Sequence, residues 1–139
     1  MDISQIDLTS LKSESPRDDH LIDLMTQAFR DEIQCTTAYV SLDAIEPFSD
    51  FVPTISKGYR DYFNEELSKD TPLPLWVYAK AGKLIMSDHY YAYTMYKELK
   101  LELANCLVLG DTPKIKGVFY GESYYIGPDS NLRLQVLED

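Results

Sequence analysis

The stretch from Leu75 to Gly110, LWVYAKAGKLIMSDHYYAYTMYKELKLELANCLVLG, constrains the fold of this chain more than any other. Leu75, Val77 and Ala79 alternate with Trp76, Tyr78 and Lys80, the period of a strand rich in aromatic and β-branched residues. Ala81-Gly82 follows, and glycine supplies the positive φ that a tight hairpin turn needs. Lys83–Met86 reads as the returning strand. Ser87 is expected to cap a helix over Asp88–Lys100, with Asp88 at the positive end of its dipole. Tyr91, Ala92, Met95, Tyr96 and Leu99 fall on one face of that helix. Glu102–Leu109 then reads as a strand with Leu103, Cys106 and Leu107–Leu109 in the core, and Gly110-Asp111 ends it.

The same reading extends outward. Ser15-Pro16-Arg17-Asp18 has the form of a helix start, and the spacing predicts a helix over Pro16–Gln34. Leu21, Met25, Ala28, Phe29 and Ile33 lie inward on it, with Leu24 beside them. Its acidic residues mostly take the other face, a solvated surface or a dock for a basic partner. A strand is expected over Thr37–Leu42. Phe48–Ile55 reads as a loop, and Ser56–Lys69 as a helix with Tyr59, Tyr62, Phe63 and Leu67 inward. Asp70-Thr71-Pro72-Leu73-Pro74 breaks it. Lys114–Tyr120 and Ser123–Ile126 are expected to form a hairpin around Gly121-Glu122. A turn over 127–131 and a last strand through Leu132, Leu134 and Val136 follow. Residues 1–15 are expected to be a flexible arm and residues 16–139 one domain. The fold class is α/β (α+β): a small mixed sheet with flanking helices and a C-terminal β extension.

The strand–turn–strand–helix–strand pattern, with Tyr39-Val40-Ser41-Leu42-Asp43-Ala44-Ile45-Glu46-Pro47 upstream of it, resembles the ParB/sulfiredoxin-like domain over residues 37–110. In that family the strand pair leads into the helix through a motif such as Asp-Gly-His-His-Arg or Gly-Gly-Cys-His-Arg. Here Asp88 takes the first motif position and His89 replaces a glycine. Tyr90 stands where the family has His or the reactive Cys, Tyr91 replaces the second His, and Ala92 replaces the Arg. A phosphate site needs close backbone approach and a cationic fork, and a sulfiredoxin-type nucleophile needs a thiolate. The resemblance therefore implies the scaffold without its usual chemistry.

The formal net charge is −10 and argues against direct nucleic-acid or anionic-membrane binding. The polar start, with no apolar run of spanning length, points to a soluble cytoplasmic protein. Cys35 and Cys106 are expected as reduced core thiols, with a disulfide or redox pair as the alternative. His20 and His89 lack the partners of a metal site. Glu65-Glu66 reads as surface helix with no acid–base role. No catalytic residue, cofactor or metal is expected.

Eleven tyrosines in 139 residues leave an excess, and Tyr90, Tyr91, Tyr93 and Tyr96 crowd one helix. One reading packs Tyr91 and Tyr96 and leaves Tyr90 and Tyr93 covering neighbouring surface. The other makes Tyr90 and Tyr93, with Tyr59 or Tyr62, an aromatic contact patch beside Ser87, Asp88 and His89. The leading functional expectation is a non-catalytic binding or regulatory protein acting through protein contact, a homo-oligomer included. The alternatives are a divergent nucleotide-binding protein or enzyme of the same class, with phosphate at Ser87–Tyr90, and an acidic DNA-mimic or anti-defence protein.

Overall fold

The computed structural model describes residues 16–69 and 72–126. The expected arm at 1–15, the turn at 127–131 and the strand through Leu132–Val136 lie outside the described residues.

Among the described residues three helices and six strands follow one another: α1 (Asp19–Phe29), β1 (Cys35–Ser41), a 3-10 turn (Leu42–Ala44), β2 (Ile45–Pro47), α2 (Lys57–Leu67), β3 (Leu75–Lys80), β4 (Lys83–Met86), α3 (Tyr90–Glu98), β5 (Leu103–Leu109) and β6 (Val118–Tyr124). The strands form one mixed sheet in the order β2-β4-β3-β5-β1-β6. β3 pairs with β5, and β2 with β4, in parallel; the other pairings are antiparallel. No helix among the described residues is long and apolar enough to cross a membrane.

Strand parity divides the core in two. Val40, Leu75, Val77, Leu84, Met86, Ala104, Cys106 and Val108 point to one face, where α2 and α3 cover them with Phe63, Tyr90, Met95 and Tyr96. Cys35, Tyr78, Ile85, Leu107 and Leu109 point to the other, under Leu21 and Ala28 of α1. Burial on both faces explains why Leu107–Leu109 is an unbroken apolar run. The β3–β4 turn is the two-residue form: Ala81 at φ 52° and Gly82 at φ 79° both take the left-handed conformation that matches strand twist.

Several boundaries differ from the sequence expectation. α1 starts at Asp19, because extended Asp18 is its cap and accepts the N–H groups of His20 at 3.1 Å and Leu21 at 3.4 Å. It stops at Phe29, and Asp31 at φ 58° turns the chain out; Ile33 reaches the α1-side core from the loop instead. Phe29 is exposed and leans on Trp76, ring centroids 6.0 Å apart. α3 begins at Tyr90 behind His89, which makes no side-chain cap bond, so Ser87 is not the cap. Leu99 closes α3 and is exposed, and left-handed Lys100 hands the inward position to Leu101. Leu103 is 43% exposed, on the α1 side but outside the cluster that α1 builds.

The expected hairpin around Gly121-Glu122 is instead one continuous strand, β6, and Lys114–Gly117 is loop. Its register against β1 shifts between Thr36 and Ala38. At that bulge the Thr37 hydroxyl takes the Glu122 N–H at 3.1 Å. A Cβ on Gly121 would meet Thr37 Oγ1 at 2.5 Å, so the glycine serves close approach and not a turn. Gly121→Ala is expected to cost about 1–3 kcal/mol, and much less in a Thr37→Ala background, where the clash is gone. Chemical denaturation of the two single variants and the double variant measures this. Equal losses from Gly121→Ala in both backgrounds would contradict the close approach.

Candidate functional site

Ser56 caps α2 by accepting the Tyr59 N–H at 3.1 Å. The helical period then sets Tyr59, Phe63 and Glu66 toward α3. Tyr59 is the hub, with ring centroids 5.8 Å from Tyr62, 6.4 Å from Phe63 and 5.4 Å from Tyr91. Phe63 meets Tyr96 edge-on at 5.2 Å. Arg60 holds α2 to α3 through both carboxylate oxygens of Glu98, at 2.5 and 3.3 Å. Asn105 of β5 donates its side-chain N–H to the Pro72 carbonyl at 2.5 Å and secures the Pro72–Pro74 segment.

These elements enclose a pocket of about 110 Å³ walled by Tyr59, Tyr62, Phe63, Leu73, Ala92, Tyr96 and their neighbours. Leu73, 64% exposed, and half-exposed Tyr62 form its rim; Tyr91, on the exposed side of α3, leans on Tyr59 beside it. Two polar side chains reach it. Glu66 is only 8% exposed and pairs with Lys69, which corrects its reading as plain surface. His89 sits at the α3 end, where burial lowers its pKa against the opposing pull of Asp88, so the imidazole is neutral at neutral pH. The pocket thus offers aromatic walls, one neutral imidazole and one paired carboxylate. It holds no thiolate and no cationic fork.

Of the seven residues singled out from the sequence, Tyr59, Tyr62 and His89 converge on this pocket. Asp88 is exposed. Ser87 is buried. Tyr90 is 3% exposed, with its ring edge-on to Phe51 at 5.4 Å, so it is core and no platform. Its hydroxyl has no hydrogen-bond partner among the described residues. Tyr93 is half-buried beneath Lys97, whose amine lies 5.6 Å from the ring centroid. Tyr90 and Tyr91 thus exchange places relative to expectation, Tyr90 inside and Tyr91 outside, while Met95 and Tyr96 are buried and Ala92 packs against the core as expected. Sequence reasoning missed Leu73, although an apolar residue held extended between two prolines was a usable signal.

It also missed a polar anchor on the opposite face of the sheet. Asp18 is buried and accepts the Tyr78 hydroxyl at 2.6 Å. Burial pushes its pKa up, but bonding to Tyr78, the nearby Ser87 hydroxyl and the Leu21 and His20 N–H groups outweigh that and hold it below the usual carboxylate value. The Ser87 hydroxyl acts on the carboxylate without closing a hydrogen bond of normal geometry. Burial and the bond to Asp18 raise the Tyr78 phenol far above its ordinary value. Exposed His20 stands edge-on to Tyr78, centroids 4.7 Å apart.

Cys35 and Cys106 are both free and buried, on opposite faces of the sheet. Burial pushes their thiols up to about 11 and about 12, so neither is a nucleophile at neutral pH. Among the described residues no three His, Cys, Asp or Glu side chains are placed to hold a metal ion.

Comparison with known proteins finds no matching family model, no matching curated protein and no matching solved structure.

Proposed function

We propose that this chain is a non-catalytic binding or regulatory protein on a ParB/sulfiredoxin-like scaffold, and that it works by protein contact at the pocket between α2 and α3. The observation that carries the reading is the pocket itself. It lies beside the α3 N-terminus, where the family keeps its motif, and it is walled by aromatic rings with an apolar rim. Tyrosine gives large contact area at little rotamer cost, and contact energy concentrates where such rings frame a desolvated pocket. At about 110 Å³ the space suits one inserted side chain. Small-molecule pockets run to about 300–1,000 Å³. The size and the missing glycine and arginine both speak against a nucleotide at Ser87–Tyr90.

Affinity capture from the native host tests this with wild-type protein and Tyr62→Ala/Leu73→Ala. Both side chains are largely exposed, so the double variant is expected to melt within about 1 kcal/mol of wild type. It is expected to lose a partner, or a second copy of the chain, that wild type retains. ATP and CTP with Mg²⁺ are expected to leave the amide resonances of Ser87–Tyr90 unmoved. Equal capture by both proteins, or nucleotide-induced shifts centred on Ser87–Tyr90, would refute the proposal.

A further inference from the structure

Although the chain is strongly acidic, four lysines gather at one end of the sheet. Lys80 and Lys83 flank the Ala81-Gly82 turn and stand directly opposite each other across β3 and β4. Like charges in directly opposed positions destabilise an antiparallel pair. Lys114 and Lys116 come from the loop that precedes β6, and all four side chains are exposed. Two adjoining concavities of about 550 and 410 Å³ run between the turn and this loop and share Gly82. Asp43 and Asp111 are the acidic residues in their walls. Lys83 donates to the Asp43 backbone carbonyl at 2.6 Å. Among the described residues none of the four amines forms an ion pair with a carboxylate.

The turn does not require this arrangement. Threonine or glutamate at either strand position would keep the hairpin and remove the repulsion. Lys83 gains its bond to the Asp43 carbonyl, but Lys80 makes no side-chain hydrogen bond or ion pair among the described residues, and a local rule broken without structural gain marks a place where something else is served. We propose that this cleft binds the phosphate chain of a small ligand, a free di- or triphosphate group. Lysine also binds phosphate, as a compact point charge, so a cluster of lysines can hold a multiply charged phosphate chain where no arginine fork is present. Gly82, at φ 79°, has no atom within 4 Å of the place its Cβ would occupy, so an anion can approach the backbone closely. A nucleic-acid strand long enough to leave the cleft would run onto a surface with a net charge of −10, which favours the small ligand. The cleft shares no wall residue with the aromatic pocket, so the two readings stand or fall separately.

Titration of the ¹⁵N-labelled full chain with inorganic tripolyphosphate at low salt tests the proposal. Saturable binding with a Kd of about 1 mM or tighter is expected, with shifts centred on Lys80–Lys83 and Asp111–Gly117. Lys80→Gln and Lys116→Gln should each weaken it about tenfold, while Lys57→Gln on α2 should not. Without ligand, Lys80→Gln should raise the melting temperature, because the opposed charges are gone; a fall would show that Lys80 serves stability and overturn the proposal. Shifts spread equally over Lys57 and Lys97, or no saturable binding, would also overturn it. So would tighter binding of a single-stranded oligonucleotide than of tripolyphosphate or ATP in the same cleft.

Discussion

Val108→Asp is expected to leave no cooperatively folded protein. Val108, the last residue but one of β5, is 0% exposed and paired with Thr36 on one side and Val77 on the other. Its side chain lies in the core under α2 and α3. An unpaired carboxylate there costs several kcal/mol. Total stability for a domain is only about 5–15 kcal/mol, so this one change removes much or all of it. Leu103→Asp on the same strand is the contrast. That position is exposed, and the loss should stay within about 1 kcal/mol. Thermal melts followed by circular dichroism separate the two. A cooperative melt from Val108→Asp, or an unfolded Leu103→Asp, would contradict the placement of β5.

Asp18→Ala is expected to destabilise by about 2–4 kcal/mol, a large effect for a residue at the start of a helix. Two costs combine: α1 loses its cap, and the buried Tyr78 hydroxyl loses its acceptor. Tyr78→Phe should cost less, since the carboxylate keeps its backbone donors, and the double variant should fall short of the sum because the two side chains share one bond. The pH dependence has a definite sign. Asp18 titrates below its usual value in the folded state, so its contribution is full above the unfolded value of about 3.9 and is lost as pH falls through the lower folded value. Urea unfolding at neutral pH and in acid should therefore show the gap between wild type and Asp18→Ala narrowing as pH falls. A gap that is constant or widens in acid would show that the carboxylate is not held as an anion.

Much of the frame is local and was legible. The β3–turn–β4 hairpin follows from alternation and a turn that needs positive φ, both properties of a few neighbouring residues. α2 needs only Ser56 ahead of an amphipathic run. The aromatic pocket is legible in part: tyrosine density points to Tyr59 and Tyr62 and the helix start to His89, while Leu73 looks like a chain break and Glu66 like surface.

The errors lie where two local choices are nearly equal and a distant residue decides. Ser87, Asp88 and His89 can each precede a helix, and the choice sets which tyrosines turn inward. Ser87 is buried and leaves the cap position to His89, α3 starts at Tyr90, and that ring, edge-on to Phe51 from a distant loop, enters the core while Tyr91 stays outside. Gly121-Glu122 reads as a turn, but Thr37 on the neighbouring strand occupies the space a side chain would need, and the strand bulges and runs on. Likewise no run of basic residues announces the lysine cleft, because its two halves meet only when the loop before β6 faces the β3–β4 turn. The kinds of element and the order of the central unit follow from local sequence, because propensity, period and turn chemistry act within a few residues. The tertiary structure decided the phase of α3, the bulge in β6 and the company each side chain keeps, because those depend on contacts between residues far apart in the chain.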